Sequence, residues 1–267
     1  MIVFPNAKIN IGLHVVSKRP DGYHNLETVF YPVQLFDALE MAETGKAGIT
    51  FSGLPVEGPA DENLVMKAYR ILKKDFGLPP VQFHLHKNIP AGAGLGGGSS
   101  DAAFTLKMLN NYFKLQITSE KLKDYAAQLG ADCSFFIDNK PAFAEGIGDL
   151  LSCVDIDLSQ FHIVVLKPEI SVSTAEAYRN VIPAQPVFKL EGLPAVPVDH
   201  WKDVVKNDFE NSVFLRFPEI KRWKEKLFEL GAIYASMSGS GSAVFGIFRH
   251  LPADLDKKIP KSILLVR

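Results

Sequence analysis

The sequence predicts an α+β protein built in two halves, and three observations carry that expectation. Short β-rich segments dominate the first third, a glycine-rich loop stands between a strand and a helix, and the pattern of strands and helices restarts beyond Ser152. The chain has 267 residues, 47% of them hydrophobic, which is ample for one large core or two smaller ones. A boundary near residue 155 divides it into 1–155 and 156–267. No stretch there is rich enough in Gly and Ser to make the halves freely moving modules.

The elements follow in order. Ala7 to Val16, Thr28 to Phe36, Gly48 to Phe51 and Val81 to His86 are β-rich and read as a mostly antiparallel sheet, with the turn Pro20-Asp21-Gly22 between the first two. Leu64, Ala68, Ile71 and Leu72 repeat at helical spacing after Asp61-Glu62, and Gly77 is placed to end that helix. Beyond the glycine-rich loop, Ala102, Leu106, Leu109 and Phe113 share one face of a second helix. A third helix starts at Ser119 with Leu122, Tyr125, Ala126 and Leu129 inward, and Gly130 suits a left-handed closing position. In the second half Phe161 to Leu166 reads as a buried strand, Pro183 to Pro197 as a connection, Pro218 to Leu230 as a helix, and Ala232 to Met237 and Ala243 to Phe248 as strands.

Composition excludes several classes of function. Lys plus Arg (29) nearly balances Asp plus Glu (30), so the net charge of -1 offers no footprint for a nucleic-acid backbone or an anionic membrane. No window approaches the roughly 18 continuous apolar residues of a membrane-spanning helix, and the N-terminus does not resemble a signal peptide. Two cysteines, Cys133 and Cys153, form neither a disulfide framework nor a zinc pattern, which fits a soluble protein in the reducing cytoplasm. Nothing in the sequence bears on oligomeric state.

Pro90-Ala91-Gly92-Ala93-Gly94-Leu95-Gly96-Gly97-Gly98-Ser99-Ser100 places five glycines in seven residues just before a helix. Backbone N–H groups and a helix N-terminus then converge on one point, an arrangement suited to phosphate. Glycine lets the backbone approach closely and allows positive φ, while Leu95 is the lone apolar anchor. Gly92, Gly94 and Gly97 satisfy G-x-G-x-x-G, but a dinucleotide fold also needs an acidic residue about 20 positions on at a strand end, and Glu120 opens a helix. The Walker pattern fails because Gly98 stands where its lysine belongs. Ser99 and Ser100 serve either as helix caps or as hydroxyls facing phosphate or Mg²⁺.

This loop resembles the phosphate loop of the galactokinase, homoserine kinase, mevalonate kinase and phosphomevalonate kinase (GHMP) superfamily. Pro5-Asn6-Ala7-Lys8-Ile9-Asn10-Ile11-Gly12-Leu13 is similar to its first motif, and Met237-Ser238-Gly239-Ser240-Gly241-Ser242 to its C-terminal glycine motif. Arg19-Pro20-Asp21-Gly22-Tyr23-His24, Leu129 to Phe136 and Asn207-Asp208-Phe209-Glu210 are similar to segments of the branch whose substrate carries a cytidine diphosphate. Cys133-Ser134 departs from the Val-Pro often found in that branch, but the aspartate before it is kept.

The resemblance implies a small-molecule kinase with ATP and Mg²⁺, composed of a ribosomal-protein-S5-like N-terminal domain and a ferredoxin-like C-terminal domain. On it Asp132 is the base that accepts the proton of the substrate hydroxyl, where the residues alone read equally well as a helix N-cap. Lys8, a charge among apolar strand residues, needs a partner, either Asp132 or phosphate. The loop Pro90 to Ser100, Asn63 and Leu64, and Ser238 and Gly239 bind ATP by the same resemblance, with Ser100 a contact for Mg²⁺; Asn63 and Leu64 equally suit the first turn of a helix. Asn10, two residues along the strand from Lys8, together with Tyr23, His24, Thr174 and Tyr178, falls to the substrate, Tyr178 offering the second face of a cytosine sandwich. His84 and His86 alternate on one strand with no third metal ligand nearby and read as solvated histidines.

Overall fold

The computed structural model describes residues 1–179, 181–260 and 264–266. In chain order the first half contains β1 (Ile2–Val3), β2 (Asn6–Lys18), β3 (His24–Phe36), β4 (Ala38–Glu43), β5 (Gly48–Gly53), α1 (Leu64–Phe76), β6 (Val81–Lys87), α2 (Gly97–Tyr112), α3 (Ser119–Ala127) and α4 (Phe135–Asp138). There follow β7 (Ala142–Glu145), β8 (Leu150–Cys153), β9 (His162–Lys167), α5 (Thr174–Tyr178), α6 (Trp201–Val204), α7 (Phe209–Arg216), α8 (Pro218–Glu229), β10 (Tyr234–Met237), β11 (Val244–Phe248), α9 (Leu255–Lys258) and β12 (Leu264–Val266). The mixture of strands and helices is the α+β architecture that the sequence predicts.

These elements gather into two units. Met1–Lys8, Gln34–Ala91 and Gly96–Lys140 form the first, and Ile9–Val33, Gly92–Leu95 and Pro141–Arg267 the second. Both are discontinuous in sequence because β2, β3 and the glycine-rich loop each contribute residues to both.

In the first unit one sheet runs β1-β4-β6-β5. β4 pairs antiparallel with both β1 and β6, as expected of a mostly antiparallel sheet, whereas β5 and β6 run parallel, joined through α1; β2 and β3, read with them as one sheet, lie in another. Along β6 Val81, Phe83 and Leu85 are buried, and the Phe83 ring meets Tyr69 of α1 edge-on at 5.9 Å. Gly77 closes α1 at φ 66° in the left-handed region, as its sequence predicts, and Asn63 stands just before the first turn as the N-cap, its side chain accepting from Val65 N–H. On the solvent side His84 and His86 share hydrogen bonds with Ser52, and His84 a further one with Thr50. Gly130 differs from expectation. It is extended, with φ 169°, because α3 already ends at Gln128 and the chain turns directly into a 3₁₀ turn over Ala131–Cys133.

The second unit holds the sheet β10-β11-β9-β12, in which every pairing is antiparallel. All five residues of β11 are buried, and Ile220 and Leu227 of α8 join Val164, Leu166, Val244 and Phe248 in one apolar cluster. A further sheet runs β2-β3-β7-β8. The β7–β8 hairpin has strands of four residues each, too short for a period-2 signal to stand out. The stretch from Pro183 to Pro197 is less open than a connector, since its 3₁₀ turn Leu190–Ala195 buries Leu190 and Leu193 completely. No described helix is long and apolar enough to cross a membrane.

Lys87, the last residue of β6, is buried with its ammonium between the carboxylates of Asp37 and Asp101. The other oxygen of Asp37 accepts from the amides of Asn88 (2.6 Å) and Ile89 (2.8 Å), the residues that lead into the glycine-rich loop. Removing one member of a buried ionic network strands the others, at a cost of about 3–5 kcal/mol. Lys87→Met is therefore expected to lose stability on that order, measured by urea unfolding; a loss below about 1 kcal/mol would show that the network contributes little.

Candidate active site

In the first unit Lys8 lies on β2 with its side chain 4% exposed, and its ammonium meets a carboxylate oxygen of Asp132 at 3.2 Å. Asp132 sits in the 3₁₀ turn that follows α3, and its side chain remains 32% exposed. No cap hydrogen bond forms at the start of that turn or of α4, so the N-cap alternative for Asp132 is not realised. The Cys133-Ser134 step keeps the turn intact: Cys133 N–H bonds the Gly130 carbonyl and the Ser134 hydroxyl donates to the Lys123 carbonyl. Burial pushes the Cys133 thiol up to about 12, which leaves it inert.

The exit of the glycine-rich loop packs beside this pair. Gly96 is the left-handed residue before α2, at φ 70°, and a Cβ there would fall 3.0 Å from Phe136 and 3.1 Å from the Lys8 stem. α2 starts at Gly97, so Ser99 and Ser100 lie in its first turn and cap nothing. Ser99 instead hydrogen-bonds the Cys133 thiol. The amides of Gly97, Gly98 and Ser99 belong to the set that a helix leaves without intrahelical partners, and together with Lys8 they give one positive locus next to an accessible carboxylate. Leu64 faces this stretch, 3.7 Å from where a Gly98 Cβ would stand, while the Asn63 oxygen is committed to its cap.

In the second unit the entry of the loop, Gly92 to Leu95, packs on the C-terminal glycine motif. Gly94 has φ 76°, and a Cβ on it would overlap the Ser238 carbonyl oxygen. Backbone meets backbone there, which only glycine permits. The Ser238 hydroxyl donates to the Gly94 carbonyl at 2.8 Å and accepts from Asn10 N–H at 3.1 Å. A Cβ on Gly239 would stand 3.1 Å from the Asn10 oxygen. Leu95 is 1% exposed, the anchor that its sequence suggested.

The expected substrate residues are gathered unevenly. His24 stacks on Tyr178 with ring centroids 4.7 Å apart and planes 22° from parallel, and Tyr178 rests edge-on against Phe209 at 4.7 Å. Tyr23 is 62% exposed and turned to solvent. Asn10 is buried and donates to Thr28, whose hydroxyl in turn donates to the Gly12 carbonyl. Thr174 opens α5 but does not cap it; Ser173 does, in a reciprocal box with Glu176.

Mg²⁺ takes oxygen ligands in octahedral geometry and commonly keeps several waters and phosphates. The described residues contain no group of three or more His, Cys, Asp or Glu side chains that could cage a cation. They do contain a fully buried Ser100 hydroxyl with no hydrogen-bond partner. That inventory fits an ion held chiefly by the nucleotide with one protein hydroxyl alongside.

Sequence reasoning missed the Asp37, Lys87 and Asp101 cluster. The signal was present: Lys87 continues the buried alternation of Val81, Phe83 and Leu85, the logic that singles out Lys8. Burial raises the Asp101 carboxyl to about 7, with Asp37 adding to the shift and Lys87 opposing it, and its second oxygen has no partner.

Residues 63–146 match the model of the GHMP kinase N-terminal domain, and residues 198–258 that of the GHMP kinase C-terminal domain. The two matches define a small-molecule kinase with ATP as phosphate donor. A 4-diphosphocytidyl-2-C-methyl-D-erythritol kinase from Bacteroides fragilis is 54% identical over 252 residues, covering 93% of this chain and 92% of its own. One from Bacteroides thetaiotaomicron is 53% identical with the same coverage. The crystal structure of a 4-(cytidine 5'-diphospho)-2C-methyl-D-erythritol kinase superposes with a TM-score of 0.79 at 35% identity, covering 92% of this chain and 90% of that one. The chain belongs to the 4-diphosphocytidyl-2-C-methyl-D-erythritol kinase family.

The protonated Asp101 carboxyl stabilises the fold below its unfolded value of 3.8, and that contribution is lost as pH rises through its folded value of about 7. Asp101→Asn, neutral at every pH, is expected to flatten the decline in melting temperature between pH 5 and 8. An unchanged slope in the variant would show that another group governs it.

Proposed function

We propose that the chain phosphorylates the 2-hydroxyl of 4-diphosphocytidyl-2-C-methyl-D-erythritol with ATP, a step of non-mevalonate isoprenoid precursor biosynthesis. The observation that carries the reading is the Lys8–Asp132 pair at 3.2 Å beside Gly96 and the N-terminus of α2. Phosphoryl transfer needs an alcohol oxygen held in line with the γ-phosphorus and positive charge around the moving group. Asp132 orients the 2-hydroxyl and takes its proton as the oxygen bonds to phosphorus and the bond to ADP breaks. Lys8 fixes the Asp132 carboxylate and offers its ammonium to the γ-phosphoryl oxygens.

The nucleotide takes the phosphate loop from Pro90 to Ser100, with Asn63 and Leu64 towards the base and Ser238 and Gly239 supporting the loop. Mg²⁺, when bound, neutralises phosphate charge, and Ser100 is the hydroxyl assigned to it. Asn10, Tyr23, His24, Thr174 and Tyr178 take the cytidine-bearing substrate. A cytosine ring would replace the present His24–Tyr178 contact, with Tyr23 free to swing onto it. The division near residue 155 falls between the stretches that the two family models match; the two cysteines without a disulfide framework suit a cytoplasmic enzyme, and the balanced charge suits small molecules rather than nucleic acid.

Asp132→Ala is expected to lower kcat by about 10²–10⁴ while ATP still binds, because the loop and not the carboxylate holds the phosphates. Steady-state kinetics paired with nucleotide titration checks it. Turnover near wild type would remove Asp132 from the role of base.

A further inference from the structure

Asn207-Asp208-Phe209-Glu210 stands at the start of α7, and the mechanism leaves it without a part. Asn207 is 3% exposed. Its amide nitrogen donates to two carbonyls of the C-terminal glycine motif, Met237 at 2.9 Å and Gly239 at 2.8 Å. Its oxygen accepts from Phe209 N–H at 3.0 Å, which fixes the amide orientation, since a flip would set oxygen against both carbonyls.

Glu210 grips the same turn from the preceding residues. One carboxylate oxygen accepts from Met237 N–H (2.9 Å) and the Ser236 hydroxyl (3.1 Å), and the other is tied to Lys224 at 2.6 Å. Ser238 lies in the middle of the clamped segment and carries the hydroxyl that reaches the Gly94 carbonyl. A displacement of this turn therefore passes to the loop by backbone contact, because Gly94 and Ser238 leave no room between them.

We infer that Asn207 is a positioning residue for nucleotide binding, which sets residues 237–239 so that Ser238 holds the Gly92 to Leu95 limb of the phosphate loop in its binding shape. The inference rests on the phosphate-loop reading above. Asn207→Asp keeps the size but turns the double donor into an acceptor facing two carbonyls. Asn207→Ser is uncharged and retains a short donor. Both are to be followed by titration with a non-hydrolysable ATP analogue, by KM for ATP and for the cytidine substrate, and by thermal melting.

Asn207→Asp is expected to weaken analogue binding and raise KM for ATP about tenfold, the equivalent of one to two lost hydrogen bonds, with KM for the cytidine substrate within about twofold. Asn207→Ser should fall between it and wild type. Adding Ser238→Ala to Asn207→Asp should weaken binding little further, since both changes release the same contact. Unchanged analogue affinity, equal rises in both KM values, or failure of both Asn207 variants to fold would overturn the inference. A tenfold loss of analogue affinity in a protein inactive on the cytidine substrate would uphold the role of Asn207 and reject the proposed reaction.

Discussion

The architecture turns on a polar stripe that strand β2 buries. Asn6, Lys8, Asn10 and His14 alternate with Ala7, Ile9, Ile11, Leu13 and Val15, and both sets lie inside the protein. A buried polar group without a partner costs several kcal/mol, and a buried charge more. Three members are met, Asn6 by Asn139, Lys8 by Asp132 and Asn10 by Thr28, while His14 has Asp208 3.6 Å from Nδ1 and a buried Nε2 with no hydrogen-bond partner. The path of the chain after α3 follows from this, because Asp132 has to return to Lys8 and Asn139 to Asn6. The candidate catalytic pair is thus also what allows a lysine in the middle of a buried strand.

Two buried lysines show what separates a reactive site from a structural one. Lys87 is enclosed by two carboxylates that are themselves 0% and 4% exposed; burial, with the Asp37 charge adding to it, drives Asp101 toward its protonated form. Lys8 meets the carboxylate of Asp132, which is open to solvent on one side, with the amides at the start of α2 nearby. The first arrangement is saturated and braces the entry to the loop. The second keeps positive charge and an accessible oxygen available to a phosphate and an alcohol.

Much of this was legible in the sequence, for physical reasons that differ by element. α1 carried two agreeing signals in its apolar spacing and Gly77, and it formed as expected. The glycine-rich loop was legible because its composition is hard to account for without a close backbone approach, now visible at Gly94 and Gly96. Lys8 stood out as a charge in an apolar run. By contrast, the β7–β8 hairpin is too short to show a period, and the parallel pairing of β5 with β6 depends on the crossover through α1 and not on either strand. Gly130 misled because its residue type permits the left-handed region without requiring it. The Asn207 clamp was out of reach, since a single asparagine says nothing about which carbonyls lie 30 and 32 positions away.

The measurement that bears most directly on the account is ADP release with Mg-ATP and three acceptors in parallel: 4-diphosphocytidyl-2-C-methyl-D-erythritol, homoserine and mevalonate. Turnover confined to the first is the predicted result, with the phosphate on the 2-hydroxyl. Turnover only on homoserine or mevalonate would contradict the substrate assignment and release Tyr23, His24 and Tyr178 from their roles. No turnover on any of the three, with ATP still bound, would contradict the claim that Lys8 and Asp132 form a phosphoryl-transfer pair.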